Sequence, residues 1–275
     1  MSYVKFFKDI TVDDLGLVGG KGLSLGRMSN ADLPVPAGFV ITTNLHKDFK
    51  SSGQLSQATE QELLAAFDSL DASRVAVRSS AISEDSETAS WAGQFESYLN
   101  VSRSELIQRV KDCWGSVKNA AAYAKTQDLK EAELVLGVVV QKMVDSEVSG
   151  VAFSVNPISH LKEEIMIEAT YGLCELLVQG MVTPDNYVVT KPNGDLVSRS
   201  IVSKTKQLTY QDGQTKEVPV DPGEQDQPTL TSSQLSELAT LVCRIEDYYL
   251  KPQDIEWALQ HNNFYIVQSR PITTN

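Results

Sequence analysis

The stretch from Asp254 to Arg270 reads DIEWALQHNNFYIVQSR, two runs of alternating apolar and polar residues separated by an Asn-rich segment. This alternation is typical of half-buried strands, and short Asn-containing segments favour tight turns. The stretch therefore predicts a β-hairpin. A three-residue loop centred on Asn262 would place Glu256 opposite Gln268 and Asp254 opposite Arg270.

The predicted hairpin would carry these four polar groups on a single side, because successive side chains on a strand point to opposite faces. The other side would be a core face, formed by Ile255, Trp257, Leu259, Tyr265 and Val267. Two interpretations follow. The first, favoured from the hairpin alone, is an ordinary half-solvated hairpin with a cross-strand ion pair. In the second, Glu256 and Gln268 supply oxygen ligands to Mg²⁺, and Arg270 stabilises charge on a transferring phosphoryl group.

Two earlier segments carry candidate phosphate ligands. Val18-Gly19-Gly20-Lys21-Gly22 has the composition of a phosphate-contacting loop, although it could be a simple turn and does not match the P-loop pattern. Arg78 ends the apolar strand predicted from Arg74, just before Ser79-Ser80. A desolvated arginine requires a partner, here either a structural carboxylate or a ligand phosphate. The segment Ser90 to Phe95 could lie over a ligand or form an ordinary turn.

The remaining pattern mixes strands and helices and indicates an α+β or α/β fold. Helical spacing covers residues 44–70 and 103–124, and apolar β-branched runs predict strands at 135–144, 148–155 and 164–169. Residues 204–230 are rich in Gln, Asp, Gly and Pro and predict an exposed loop or ragged hairpin. A helix is predicted from Thr231, with Gln234 in capping-box spacing.

Composition limits the partners and the compartment that can be expected for this protein. The 275 residues carry a formal net charge of −12, which argues against nucleic acid as a partner. No apolar run is long enough to cross a bilayer, and no signal-peptide pattern opens the chain. Three widely spaced cysteines suggest neither a disulfide framework nor a zinc site, so the expected compartment is the cytoplasm. The three histidines, His46, His160 and His261, are predicted to be surface residues.

Taken in order, the motifs resemble the ATP-binding domain of the phosphoenolpyruvate synthase, pyruvate phosphate dikinase and rifampin phosphotransferase family. The resemblance runs from Gly19 to Pro271. Its landmarks are Gly19-Gly20-Lys21, Val35-Pro36-Ala37-Gly38-Phe39, Val77-Arg78-Ser79-Ser80, Ala92-Gly93-Gln94, Gln141-Lys142-Met143-Val144, Thr183-Pro184-Asp185, Asp254-Ile255-Glu256-Trp257 and Gln268-Ser269-Arg270-Pro271.

The resemblance implies an α+β, ATP-grasp-type fold. Residues 1–275 would form a single nucleotide-binding domain with approximate lobes 1–150 and 151–275, whose mixed or antiparallel sheets enclose a nucleotide cleft. The implied ligands are ATP and Mg²⁺. Lys21 and Arg78 would contact the phosphates, and Gly93 and Ser97 would belong to the loop that covers them. Further implied roles place Gln141 at the adenine end near the backbone of Met143, Glu256 and Gln268 on Mg²⁺, and Arg270 at the transferring phosphate.

The resemblance further implies that the β-phosphoryl group of ATP passes to a histidine on another domain or chain, leaving AMP and phosphate. That histidine would hand the group to pyruvate or another small molecule. Nothing in the chain resembles the phosphohistidine segment or the pyruvate-binding barrel, so both are expected elsewhere. One departure from the family pattern is Cys174 in Gly172-Leu173-Cys174-Glu175, where the family has Gly-Leu-Gly-Glu.

Two alternatives remain open at this stage. The chain could be a stand-alone ATP-grasp kinase or ligase that acts directly on a small molecule, with ADP as the product. It could also be a non-catalytic nucleotide-binding module. The intact set of Glu256, Gln268 and Arg270 favours a catalytic phosphotransferase over such a module.

Overall fold

The computed structural model describes residues 2–82, 85–86, 89–90, 96–117 and 135–272. The chain divides into two compact units. The first unit comprises residues 1–32 and 36–143, and the second comprises residues 33–35 and 144–275.

The first unit is built on a five-stranded sheet in the order β1-β2-β7-β3-β6, with every adjacent pair antiparallel. Its strands are β1 (Val4–Phe6), β2 (Gly38–Ile41), β3 (Val75–Ala81), β6 (Ser97–Val101) and β7 (Leu136–Lys142), with a separate short pair β4 (Asp85–Ser86) and β5 (Ala89–Ser90). Its helices are α1 (Leu15–Asn30), α2 (Thr43–Ser52), α3 (Gln57–Asp68) and α4 (Leu106–Gly115), with 3-10 turns at Phe7–Asp9 and Val12–Asp14.

The two faces of this sheet have different neighbours. Phe39, Val77, Val138 and Val140 point into an apolar core that also contains buried side chains of α2, α3 and α4. Helix α1 lies against the other face, where a Cβ on Gly22 would stand 2.9 Å from Val40 Cγ2. Burial of both faces explains why β2 and the first five residues of β7, Leu136 to Val140, are apolar.

The second unit contains a six-stranded antiparallel sheet in the order β11-β10-β9-β8-β14-β15 and a two-stranded hairpin, β12-β13. The strands are β8 (Val148–Phe153), β9 (Glu164–Tyr171), β10 (Asp185–Thr190), β11 (Leu196–Ser200), β12 (Lys206–Gln211), β13 (Gln214–Pro219), β14 (Gln253–Gln260) and β15 (Asn263–Pro271). Its helices are the single turn α5 (Glu175–Val178) and α6 (Ser232–Tyr249).

Helix α6 covers the core face of the large sheet by packing against β10 and β14. The capping box predicted at its start is present, since Thr231 N–H donates to Gln234 Oε1 at 2.9 Å and Gln234 N–H donates to Thr231 Oγ1 at 3.3 Å. The α+β class with antiparallel sheets is thus confirmed.

Three local predictions need correction. Residues 44–70 form two helices, because Gly53 adopts a φ of 73° and ends α2. Residues 204–230 contain the hairpin β12-β13, one of the two predicted forms, but the segment is not wholly exposed, since Lys204 and Val220 are buried. His46 is buried, whereas His160 and His261 are exposed as predicted. The predicted helix 103–124 is described only up to residue 117.

The buried His46 is held by aromatic packing and one hydrogen bond. Its ring stacks on Trp114 at a centroid distance of 5.3 Å, and its Nδ1 accepts a hydrogen bond of 2.9 Å from Leu136 N–H. Burial, with a smaller contribution from the Lys50 charge, lowers the pKa of His46 to about 4. His46 is therefore a neutral core residue.

Candidate functional site

The predicted site residues divide between the two units. Lys21, Arg78, Ser97, Gln141 and Met143 belong to the first unit, and Glu256, Gln268 and Arg270 belong to the second. Gly93 lies outside the described residues, so its predicted place in a covering loop stays a prediction.

The Gly-Gly-Lys segment is a break inside a helix and not the loop predicted from sequence. Helix α1 contains one residue of non-helical conformation, Gly19, with φ 72° and ψ 173°. A Cβ at this position would stand 2.3 Å from the Ser80 carbonyl oxygen, so both the backbone angle and the space require glycine. The helix therefore restarts at Gly20, close to the end of strand β3.

Ser80 connects the restarted helix to strand β3 through two hydrogen bonds. Its hydroxyl donates to the carbonyl of Val18 at 2.8 Å and accepts from the N–H of Gly22 at 3.0 Å. Helix starts leave backbone N–H groups without intrahelical partners, and Ser80 satisfies one of them from another element. The pairing of Gly-Gly-Lys with Val-Arg-Ser-Ser is thus a tertiary contact that joins the two motifs.

The side chain of Lys21 also contacts the end of strand β3. This side chain is buried, and its Nζ donates to the carbonyl oxygen of Ser79 at 2.8 Å. This contact uses one of the three donors of the ammonium group and holds its charge at the end of β3.

Arg78 and Gln141 share a face of the five-stranded sheet. Arg78 pairs with Val139 on β7 and with Ser97 on β6, while Gln141 pairs with Ala76. Residues in direct register point to the same side, so Arg78, Ser97 and Gln141 all lie on the face that α1 covers. Gln141 is buried, and its amide donates to the Pro36 carbonyl at 3.5 Å. Met143 follows β7, and its N–H donates to the Arg74 carbonyl at 3.1 Å.

The C-terminal hairpin has the predicted pairing for a reason that the sequence did not reveal. Glu256 stands opposite Gln268 and Asp254 opposite Arg270, as expected. The loop, however, contains two residues, His261 and Asn262, whose φ values of 49° and 59° are those that a type I′ turn requires.

A β-bulge between Glu256 and Trp257 shifts the register by one residue and so restores the predicted pairs. The same shift corrects the predicted core face. Phe264 and Ile266 are buried beside Trp257, whereas Tyr265 and Val267 are only half-buried.

A row of residues, all polar except Val151, crosses the face of the sheet opposite α6. Direct register joins Gln268 to Glu256, Glu256 to Val151, Val151 to Glu168, and Glu168 to Asn186. Side chains in such a row project from the same face at strand spacings of about 4.8 Å.

Asp254 and Arg270 form the adjacent row on the same face. The Asp254 Oδ2 atom accepts hydrogen bonds from Arg270 Nε at 2.8 Å and Nη2 at 2.7 Å. Burial raises the pKa of Asp254, the Arg270 charge and hydrogen bond lower it, and the Glu256 charge raises it further. The sequence pattern included Asp254 in a motif but did not mark it as a site residue.

Glu168 is a second residue that the sequence pattern did not mark. It is half-buried, and burial together with the nearby Asp254 charge raises its pKa. The strand 164–169 was predicted, but its position two strands from Glu256 depends on sheet order, which the sequence pattern does not contain.

Glu256 and Gln268 together offer hard oxygen donors to a cation. Carboxylate and amide oxygens are the ligands that Mg²⁺ prefers. Among the residues that the structure describes, no group of three His, Cys, Asp or Glu side chains could hold a metal ion by itself. A cation on this face would thus need further ligands from water or from a bound phosphate.

The segment with Cys174 is held by backbone contacts. Gly172 has a φ of 73°, and its carbonyl accepts from Ser149 Oγ at 2.6 Å, while Leu173 N–H donates to the Leu208 carbonyl at 2.8 Å. Cys174 immediately precedes α5.

No described helix is long and apolar enough to cross a membrane.

Comparison with known proteins identifies related sequences. The chain matches the family described as "Pyruvate phosphate dikinase, AMP/ATP-binding domain" over residues 15–70 and 51–275. A probable phosphoenolpyruvate synthase of Archaeoglobus fulgidus is 37% identical over 98% of the chain and 42% of its own length. A probable phosphoenolpyruvate synthase of Methanothermobacter thermautotrophicus is 34% identical over the whole chain and 46% of its own length. A rifampicin phosphotransferase of a Streptomyces species is 37% identical over 97% of the chain and 35% of its own length. The chain thus spans less than half the length of these relatives.

Proposed function

The chain belongs to the pyruvate phosphate dikinase AMP/ATP-binding domain family, and from that membership we propose that it binds MgATP and starts phosphoryl transfer to a histidine. The observation that carries the proposal is the polar face of β14 and β15. There Glu256 and Gln268 stand in direct register, two residues along the strands from Asp254 and from the Arg270 that it orients. Cation ligands and a fixed guanidinium group are what phosphoryl transfer requires.

The first unit carries the residues proposed to bind the phosphates and the adenine of ATP. Lys21 is fixed at the end of β3 by Ser79, and Arg78 lies on the sheet face that α1 covers. Both are cations suited to bind the phosphates, and Ser97 pairs directly with Arg78. We assign Gly93 and Ser97 to the covering segment and Gln141 and Met143 to the adenine end. We propose that the two units are the two lobes of an ATP-grasp-type domain. The first comprises residues 1–32 and 36–143, and the second comprises residues 33–35 and 144–275.

The donor set of the second unit fits Mg²⁺. Glu256 and Gln268 would hold the cation, with water and phosphate oxygens as its remaining ligands. When bound, Mg²⁺ neutralises charge on the phosphate oxygens. Arg270 contributes separately from the cation, because its guanidinium, held by two hydrogen bonds to Asp254, stabilises negative charge on the group in transit.

The proposed reaction consumes ATP and water and yields AMP and phosphate, with the β-phosphoryl group carried on a histidine nitrogen. The accepting histidine would belong to another domain or another protein, and the final acceptor would be pyruvate or another small molecule. The related proteins are named phosphoenolpyruvate synthase and rifampicin phosphotransferase, which is the support for this acceptor class. The proposed compartment is the cytoplasm, supported by the free thiols of Cys113, Cys174 and Cys243.

The test is to incubate the protein with ATP labelled at the β-phosphate, with and without a histidine-bearing polypeptide of a related synthase. The proposal predicts label on the polypeptide, with AMP and phosphate as products, and no label on a variant in which the accepting histidine is replaced. ADP formed with an added small molecule and no histidine carrier would contradict it in favour of a direct kinase. ATP binding with no product under any condition would indicate a non-catalytic nucleotide module.

A further inference from the structure

Glu168 is a carboxylate without a described partner on the face proposed to hold Mg²⁺. It is half-buried on β9, and within residues 2–82, 96–117 and 135–272 no hydrogen bond or ion pair joins it to another residue. Burial and the charge of Asp254, a carboxylate that is itself paired with Arg270, raise the pKa of Glu168. A partly desolvated carboxylate beside another carboxylate is unfavourable unless a cation compensates for it.

The register places Glu168 at a definite distance from the proposed cation ligands. Glu168 and Glu256 are both directly opposite Val151, one on each side of β8. Two strand spacings separate their backbones, roughly 10 Å. Each glutamate side chain covers part of that distance, and the Val151 side chain between them is short.

This separation favours a contact through water. No three of the described His, Cys, Asp or Glu side chains come together as a metal site, and roughly 10 Å separates the backbones of Glu168 and Glu256. Mg²⁺ loses its water reluctantly and keeps several water ligands in most protein sites. A carboxylate two strands away from Glu256 can therefore accept hydrogen bonds from those waters.

We propose that Glu168 binds the water ligands of the Mg²⁺ held by Glu256 and Gln268, and so sets the affinity of this site for the cation. Glu168 would act as a positioning residue, because it orients the hydrated cation without touching it. The inference rests on the proposed function, since it assumes a cation at Glu256 and Gln268. Residues that act through the ligands of a metal typically change its affinity by about 10 to 100-fold when replaced.

The test measures Mn²⁺ affinity by electron paramagnetic resonance in the presence of a non-hydrolysable ATP analogue. We would compare wild type with Glu168→Gln, Glu256→Gln and the exposed control Glu163→Gln. The inference predicts about tenfold weaker Mn²⁺ binding for Glu168→Gln and no change for Glu163→Gln. In metal-free buffer the thermal midpoint of Glu168→Gln should equal or exceed that of wild type, because an uncompensated charge has been removed.

The outcomes separate the inference from its premise. Loss of Mn²⁺ affinity in Glu256→Gln but not in Glu168→Gln would overturn the role of Glu168 and keep the cation site. Wild-type affinity in both variants would contradict the cation site itself. A lower metal-free midpoint for Glu168→Gln, with Mn²⁺ affinity unchanged, would show that Glu168 has a structural role and would overturn the inference.

Discussion

Asp254 and Arg270 stand directly opposite each other on β14 and β15, and two N–H groups of the arginine donate to a single oxygen of the aspartate. This side-on contact fixes the plane of the guanidinium. The arginine is more exposed than the aspartate, at 38% against 13% of the side-chain surface, so Asp254 forms the more buried part of the pair. The geometry shows that Asp254 holds the guanidinium of Arg270 in one orientation on this face.

Replacing Arg270 by lysine should therefore impair transfer although the charge is retained. Lysine lacks the planar fork that lets arginine bind Asp254 through two donors. We expect a loss of about 100-fold in the rate of label transfer from ATP to the histidine carrier, measured in a single turnover. Arg199→Lys on the exposed strand β11 is the matched control and should transfer at the wild-type rate. Equal rates for Arg270→Lys and wild type would remove Arg270 from the proposed mechanism.

Replacing Gly19 by alanine should destabilise the first unit. The variant would place a Cβ 2.3 Å from the Ser80 carbonyl oxygen and force a non-glycine residue to a φ of 72°. We expect a cost of at least about 1–3 kcal/mol in the free energy of unfolding, measured by urea denaturation. Gly16→Ala in the same helix is the control, because its Cβ would meet nothing within 4 Å. That control should be neutral or stabilising, since alanine favours helix over glycine.

The buried pair of Lys204 and Asp185 should be sensitive to the loss of either partner. Lys204 Nζ lies 2.7 Å from Asp185 Oδ1, and the two side chains are 1% and 0% exposed. Lys204→Met leaves a buried carboxylate without its counter-charge, with an expected loss of roughly 3–5 kcal/mol in unfolding free energy. Lys206→Met removes a surface pair with Glu217 and should cost no more than about 1 kcal/mol. Comparable losses in the two variants would show that the buried pair contributes no more to the free energy of unfolding than the surface pair.

Stability should fall in acid partly because of His46. Its pKa is about 4 in the folded protein, against about 6.5 in an unfolded chain. Protonation therefore favours the unfolded state, so this contribution is complete above pH 6.5 and is lost as the pH falls toward 4, by about 1.4 kcal/mol per pH unit. In His46→Asn the amide oxygen can still accept from Leu136 N–H, and unfolding free energy should depend less on pH in that range. Parallel pH profiles for the two proteins would contradict the assignment.

The sequence predicted those features that depend on local pattern. Alternation along 254–270 indicated a hairpin, and the Thr231 and Gln234 spacing located the start of α6. The pairing of Glu256 with Gln268 was also predicted, yet through a loop length that is wrong. A two-residue turn and a bulge produce the same register, and a bulge has no clear sequence signal when no glycine marks it.

Features that depend on tertiary contact were missed. The composition around Gly20 predicts a loop, and the structure has a helical restart there, because the contact with Ser80 that stabilises it comes from a distant part of the chain. The helix-like context of His46 predicts a surface residue, but the ring is buried against Trp114, which is distant in sequence. Sheet order, which the sequence pattern does not contain, places Glu168 on the same face as Glu256.

The most direct test of the central claim is the thermal midpoint of the protein with and without MgATP, measured for wild type, Arg78→Ala and Glu256→Ala. ATP at a hundred times its dissociation constant should stabilise the wild type by about 2.7 kcal/mol, which raises the midpoint by roughly 5–10 °C. The account predicts this rise in the wild type and little rise in either variant. An equal rise in all three proteins would contradict the assigned residues, and no rise in the wild type would contradict ATP binding by this chain.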